Sequence, residues 1–129
     1  MLLQEQREQV VEYGKKLVTT GLTDGTFGNL SVFDRESGLM AISPSGMDYF
    51  ATTPEDVVVA DLEGKVVEGK RKPSSELDLH RLFYRRRKDV NGVVHTHSTF
   101  ATVLSCLRWN IEPVHYLVAY AGRQVPCIP

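Results

Sequence analysis

Scarcity is the first guide to this sequence. Cysteine is nearly absent: Cys106 and Cys127 lie far apart and outside any metal or redox spacing. That excludes a disulfide framework and fits a reducing cytoplasm. No apolar run reaches the length that spans a bilayer, and the N-terminus opens on charged, Gln-rich sequence where a secretory leader would be apolar. Neither sign of charge is in surplus. A formal net charge of −1 gives no general attraction to nucleic acid or to an anionic membrane. Repeats, low-complexity tracts and linkers are missing too. What is present, 129 residues with 42% apolar and 24% charged side chains, suffices for one domain with a core of its own. The end, Val125-Pro-Cys-Ile-Pro129, has no closing helix or polar tail and reads as an interruption.

Local patterns predict the elements. Leu3, Val10, Val11, Leu17 and Val18 recur at helical spacing, so residues 3–19 are expected to form an amphipathic helix ended by Gly21. The stretch Gly21-Leu-Thr-Asp-Gly-Thr-Phe-Gly-Asn29 is rich in turn formers and reads as a loop. Residues 30–33 and 39–42 read as strands joined by a hairpin, and residues 43–46 as a tight loop. Thr53-Pro54 predicts a single helical turn. Residues 57–61 and 65–67 form a second expected hairpin. Ser75 with Asp78 resembles a capping box opening a helix that buries Leu79, Leu82 and Phe83 and ends in Arg85-Arg-Arg-Lys88. Residues 90–97 are expected as strand, 100–107 as helix and 113–120 as strand. Interleaved strands and helices with several hairpins predict an α/β layered fold on a mixed sheet.

The chemistry concentrates between Lys72 and Ser98. Residues two apart on a strand share a face, so His95 and His97 would present both imidazoles on one side, as ligands for zinc or a related divalent ion. A catalytic zinc ordinarily takes three protein ligands, so the pair alone is not a site. Glu76 opens the preceding helix and could be a ligand, a general base, or each in turn. Gly25, Gly28, Gly46, Ser45, Ser74 and Ser75 read singly as turn and cap residues. Together with Thr26 and Asn29 they could also offer a phosphate pocket of backbone N–H groups and side-chain donors. The spacings of a Walker A loop or a dinucleotide fingerprint are absent. The basic run 85–88 reads as a solvated helix end. His80 and His115 read as structural, and Tyr116, in an apolar run, as core.

Five segments in order carry a resemblance: Gly25-Thr-Phe-Gly-Asn29, Ser43-Pro-Ser-Gly46, Pro73-Ser-Ser-Glu76, Val94-His-Thr-His97 and Val114-His-Tyr116. They resemble the class II aldolase/adducin-like family, on the side of its sugar-phosphate aldolases. The resemblance implies a three-layer α/β/α sandwich with a mixed, largely antiparallel central sheet, in one domain over residues 1–129 that is incomplete at its C-terminal end. It implies one Zn²⁺ per subunit on His95, His97 and, at rest, Glu76, with a third histidine expected beyond residue 129. It implies phosphate contacts from Thr26, Asn29, Ser45, Gly46, Ser74 and Ser75, catalysis by Glu76, and help from Tyr116 of a neighbouring subunit in a cytoplasmic homotetramer.

The implied activity is reversible cleavage of L-fuculose 1-phosphate, or a similar ketose 1-phosphate, to dihydroxyacetone phosphate and L-lactaldehyde. Sibling sugar-phosphate epimerases resemble the sequence less, since they usually carry Asp at the position of Glu76. Methylthioribulose-phosphate dehydratases keep the Glu. An adducin-like binding head, the alternative of another class, would lack the metal ligands that stand here.

Overall fold

The computed structural model describes residues 1–128, which fall into two compact units, Met1–Thr96 and a second that begins at His97. In the first unit the elements run α1 (Gln4–Thr19), β1 (Asn29–Asp34), β2 (Leu39–Ile42), β3 (Val58–Asp61), β4 (Val66–Glu68), α2 (Leu77–Arg86) and β5 (Gly92–His95). The sheet order is β4-β3-β2-β1-β5, and all its pairings are antiparallel.

Strand alternation sorts the β1 side chains between two helices. Leu30 and Val32 pack with Val10 and Leu17 of α1, Ala41 of β2, Tyr49 and Val57. Phe33, on the other face, packs with Met40, Ala60 and Tyr84 of α2, the two rings stacked at 4.8 Å. A helix thus covers each face of the sheet, the layered α/β arrangement that the sequence predicts.

The apolar periodicity of α1 is only part of its inward face, which also includes Arg7 and Gly14. A Cβ on Gly14 would lie within van der Waals overlap of the Tyr49 ring, so glycine is what lets that ring reach the helix backbone. Arg7 is 1% exposed. Its guanidinium donates to the carbonyls of Leu2 at 2.8 Å, Pro54 at 2.9 Å and Val57 at 2.5 Å, and pairs with Glu68 at 2.6 Å.

α2 departs from its predicted face. Leu79, Leu82 and Phe83 are exposed, and His80 and Tyr84 are buried instead. The pattern reading assumes that the apolar face turns inward. Here a polar pair one turn apart turns inward, because β1 supplies hydrogen-bond partners for it. The capping box is not formed either. Glu76 occupies the N-cap with no side-chain cap bond, and its N–H donates to Ser74 Oγ at 3.2 Å. The basic run 85–88 does face water, with Arg85 paired to Glu63 and Arg87 to Asp89.

The second unit contains α3 (Thr99–Cys106), a bridge between Ile111 and Val125, and a 3₁₀ helix over Tyr116–Tyr120 where a strand is predicted. A short continuous apolar run does not distinguish strand from helix by period. The local cap decides it: His115 Nδ1 accepts from the Leu117 N–H at 3.3 Å and starts the turn. Tyr116 is 73% exposed, not core. Among the described residues no helix is long and apolar enough to cross a membrane.

Candidate active site

Four separate segments of the first unit converge at one end of its sheet. Pairing of β1 with β5 sets Asn29 opposite His95. The loop before Asn29 closes tightly on that strand: Gly28 has φ +74° and a Cβ there would lie 2.8 Å from the His95 carbonyl oxygen. Both facts call for glycine. Tyr49 Oη donates to the Gly28 carbonyl at 2.9 Å, and burial pushes this phenol's pKa up.

The two serine loops are tied to each other. Pro44 and Pro73 form an antiparallel bridge, Ser45 N–H donates to the Lys72 carbonyl at 2.9 Å, and Ser74 N–H donates to the Ser43 carbonyl at 3.1 Å. Ser45, Gly46 and Ser75 are exposed, and Ser74 is buried with its hydroxyl at the start of α2. Thr26 is exposed in the loop before β1. The structure therefore joins Ser45 and Gly46 to Ser74 and Ser75 through two loops that are distant in sequence.

Glu76 Oε2 lies 3.3 Å from His95 Nδ1. That carboxylate oxygen is buried and makes no hydrogen bond among the described residues. A buried acceptor in that condition is costly unless a charge or donor meets it. An oxygen donor beside an imidazole fits a divalent cation. The described residues gather no group of three His, Cys, Asp or Glu side chains that could hold one. β5 ends at His95, so strand alternation does not extend to His97, which begins the second unit; Tyr116 also belongs to that unit.

Sequence reasoning takes His80 as structural but gives no sign of what it holds. The ring is fully buried, with Nε2 2.5 Å from Asn29 Oδ1 and Nδ1 2.7 Å from Ser31 Oγ. Ser31 Oγ in turn lies 2.6 Å from Tyr84 Oη, which also donates to the Ser31 carbonyl at 3.0 Å. The only sequence signal is a His and a Tyr four apart on one helix. Burial lowers the His80 pKa from 6.5 to about 4, helped by His95 nearby, and raises that of Tyr84 to about 12.

A depressed folded-state pKa means that the unfolded chain binds the proton first. The His80 contribution to stability is present above pH 6.5 and lost as pH falls through about 4. At full protonation the loss is on the order of 3 kcal/mol. Urea unfolding of the chain and of its His80→Gln variant between pH 7 and 4 should show the variant losing less. Parallel curves would refute the assignment.

Comparison with known proteins places the chain in a family. Residues 8–129 match the family described as the Class II Aldolase and Adducin N-terminal domain. The chain is 57% identical over 129 residues to 5-deoxy-D-ribulose 1-phosphate aldolase of Bacillus thuringiensis serovar kurstaki, covering all of this chain and 61% of that one. A solved structure named L-fuculose 1-phosphate aldolase matches with a TM-score of 0.91 and 51% identity, over 98% of this chain and 59% of that one. L-fuculose-1-phosphate aldolase of Thermus thermophilus matches with a TM-score of 0.73 and 31% identity, over 98% and 63%. The chain spans about three fifths of the length of these relatives. With the match running through nearly all its residues, the chain belongs to the class II aldolase and adducin N-terminal domain family.

Proposed function

We propose that this chain carries the metal and phosphate machinery of a zinc-dependent aldolase acting on a ketose 1-phosphate. The observation that carries the reading is the buried, hydrogen-bond-free Glu76 oxygen beside His95, at the sheet end where the glycine and serine loops meet. His95, His97 and Glu76 would hold the cation, with a third histidine expected beyond residue 129. When bound, the cation supplies Lewis-acid stabilisation of the negative charge that develops on the substrate oxygens.

The residues do the rest. Thr26, Asn29, Ser45, Gly46, Ser74 and Ser75 hold the phosphate, fixing the hydroxymethyl carbon of dihydroxyacetone phosphate against Glu76. In condensation the Glu76 carboxylate takes a proton from that carbon, and in cleavage it returns it. Tyr116, contributed by a neighbouring subunit of a homotetramer, donates to the aldehyde oxygen. All six phosphate residues and Glu76 act on the dihydroxyacetone phosphate half, which is common to both named substrates. Cleavage of L-fuculose 1-phosphate leaves L-lactaldehyde as the other product, and cleavage of 5-deoxy-D-ribulose 1-phosphate leaves acetaldehyde. The enzyme works in the cytoplasm, in sugar degradation.

The test joins this chain to the remaining C-terminal portion of its 57%-identical relative and assays zinc and cleavage of both sugar phosphates. Zinc near one per subunit with cleavage of either substrate is the expected result, and the faster substrate names the aldehyde. Absence of zinc from the joined protein would overturn the metal mechanism and favour a non-catalytic, adducin-like binding head.

A further inference from the structure

His80 lies outside the residues assigned above to metal, phosphate or proton transfer, yet it is fully buried against one of them. Its imidazole is the middle of a four-residue chain, Tyr84 to Ser31 to His80 to Asn29, with contacts of 2.6, 2.7 and 2.5 Å. The direction of the protons follows from the end of the chain. Asn29 Oδ1 only accepts, so Nε2 carries the ring proton. In a neutral ring Nδ1 is then an acceptor and takes the Ser31 hydroxyl proton. The Tyr84 hydroxyl directs its one proton at Ser31, shared between the carbonyl oxygen at 3.0 Å and Oγ at 2.6 Å. Every donor meets an acceptor.

The consequence concerns Asn29. Its carboxamide has one oxygen and one NH₂ on opposite branches of the same carbon. With the oxygen held inward by His80, the NH₂ is sent the other way. The opposite polarity, with the ring proton on Nδ1, would turn the amide oxygen outward, where it would face an anionic oxygen as acceptor against acceptor. We propose that His80 is a positioning residue for Asn29: its neutral Nε2–H tautomer orients the carboxamide so that an NH₂ donor faces the substrate phosphate. This rests on the reading of Asn29 as a phosphate contact.

The experiment uses this chain and inorganic phosphate as the probe. Nitrogen-15 spectra of the imidazole report which ring nitrogen of His80 carries hydrogen, and phosphate titration followed by amide shifts reports affinity. His80→Leu removes both ring contacts and His80→Gln retains them, since a glutamine amide can donate to Asn29 and accept from Ser31. The expected result is the Nε2–H tautomer, phosphate affinity lowered about tenfold in His80→Leu, the scale of one hydrogen bond, and affinity recovered in His80→Gln. If His80→Leu does not fold, the tautomer and His80→Gln decide: an Nδ1–H ring, or Gln binding tenfold weaker, overturns the proposal. Phosphate binding equal in all three proteins overturns the positioning role alone. No phosphate binding by the parent chain overturns the phosphate pocket itself and the proposal with it.

Discussion

Exchange of the hydroxymethyl proton of dihydroxyacetone phosphate with solvent should fall by about a hundred- to ten-thousand-fold in Glu76→Gln, the range of a lost general base. The measurement belongs in the chain joined to its relative's C-terminal portion. Glutamine has nearly the shape of glutamate but does not accept the proton, so proton removal fails while the fold is kept. His95, His97 and the third histidine expected beyond residue 129 still hold the zinc. Stability supplies a second reading of the same variant. Glu76 Oε2 is buried without a hydrogen bond, so replacing the charge by a neutral amide should leave the melting temperature unchanged or raise it. A variant that loses exchange and also melts much lower would point to a structural Glu76. Exchange at the parent rate would remove Glu76 as the base.

The second large effect is on the fold. Arg7→Met in this chain should cost about 3–5 kcal/mol, the scale of leaving several buried or half-buried carbonyls without their charged donor. The size follows from what is left behind. The carbonyls of Leu2, Pro54 and Val57 and the Glu68 carboxylate all lose a charged donor. The guanidinium joins the first turn of α1 to the loop before β3 and to the end of β4, so the loss is spread over three segments. Glu68→Gln should cost less, because Glu68 is 38% exposed and Arg7 would keep its three carbonyls. Arg7→Lys should recover little, since one ammonium does not reproduce the planar fork of donors. Urea midpoints at unchanged slope are the check. An Arg7→Met cost under about 1 kcal/mol would show that the buried guanidinium barely offsets its own desolvation.

Both predictions concern buried charge, and only one of the two charges is legible in the sequence. Glu76 stands in a loop-to-helix motif beside two serines, and the sequence singles it out. Arg7 looks like any charged position of an amphipathic helix. Its burial depends on carbonyls some fifty residues away in the chain, which no local pattern records.

The sequence by itself determined the elements whose causes are local. The alternation of β1 and β2, the hairpin turns, the period of α1 and the order of the five motifs all depend on neighbours within a few residues. Those local patterns are enough to place Gly28, Ser74 and Glu76 on loops and element ends, while the strand they predict runs on past His95, where β5 ends. Tertiary structure alone decided the rest. It chose the inward face of α2, because Ser31 and Asn29 on β1 can satisfy His80 and Tyr84 while Leu79, Leu82 and Phe83 have no such claim. It set Asn29 opposite His95 and zipped the Ser43–Gly46 loop to the Pro73–Glu76 loop. Such pairings are made between segments far apart in the chain, and their register depends on the backbone geometry of both partners at once.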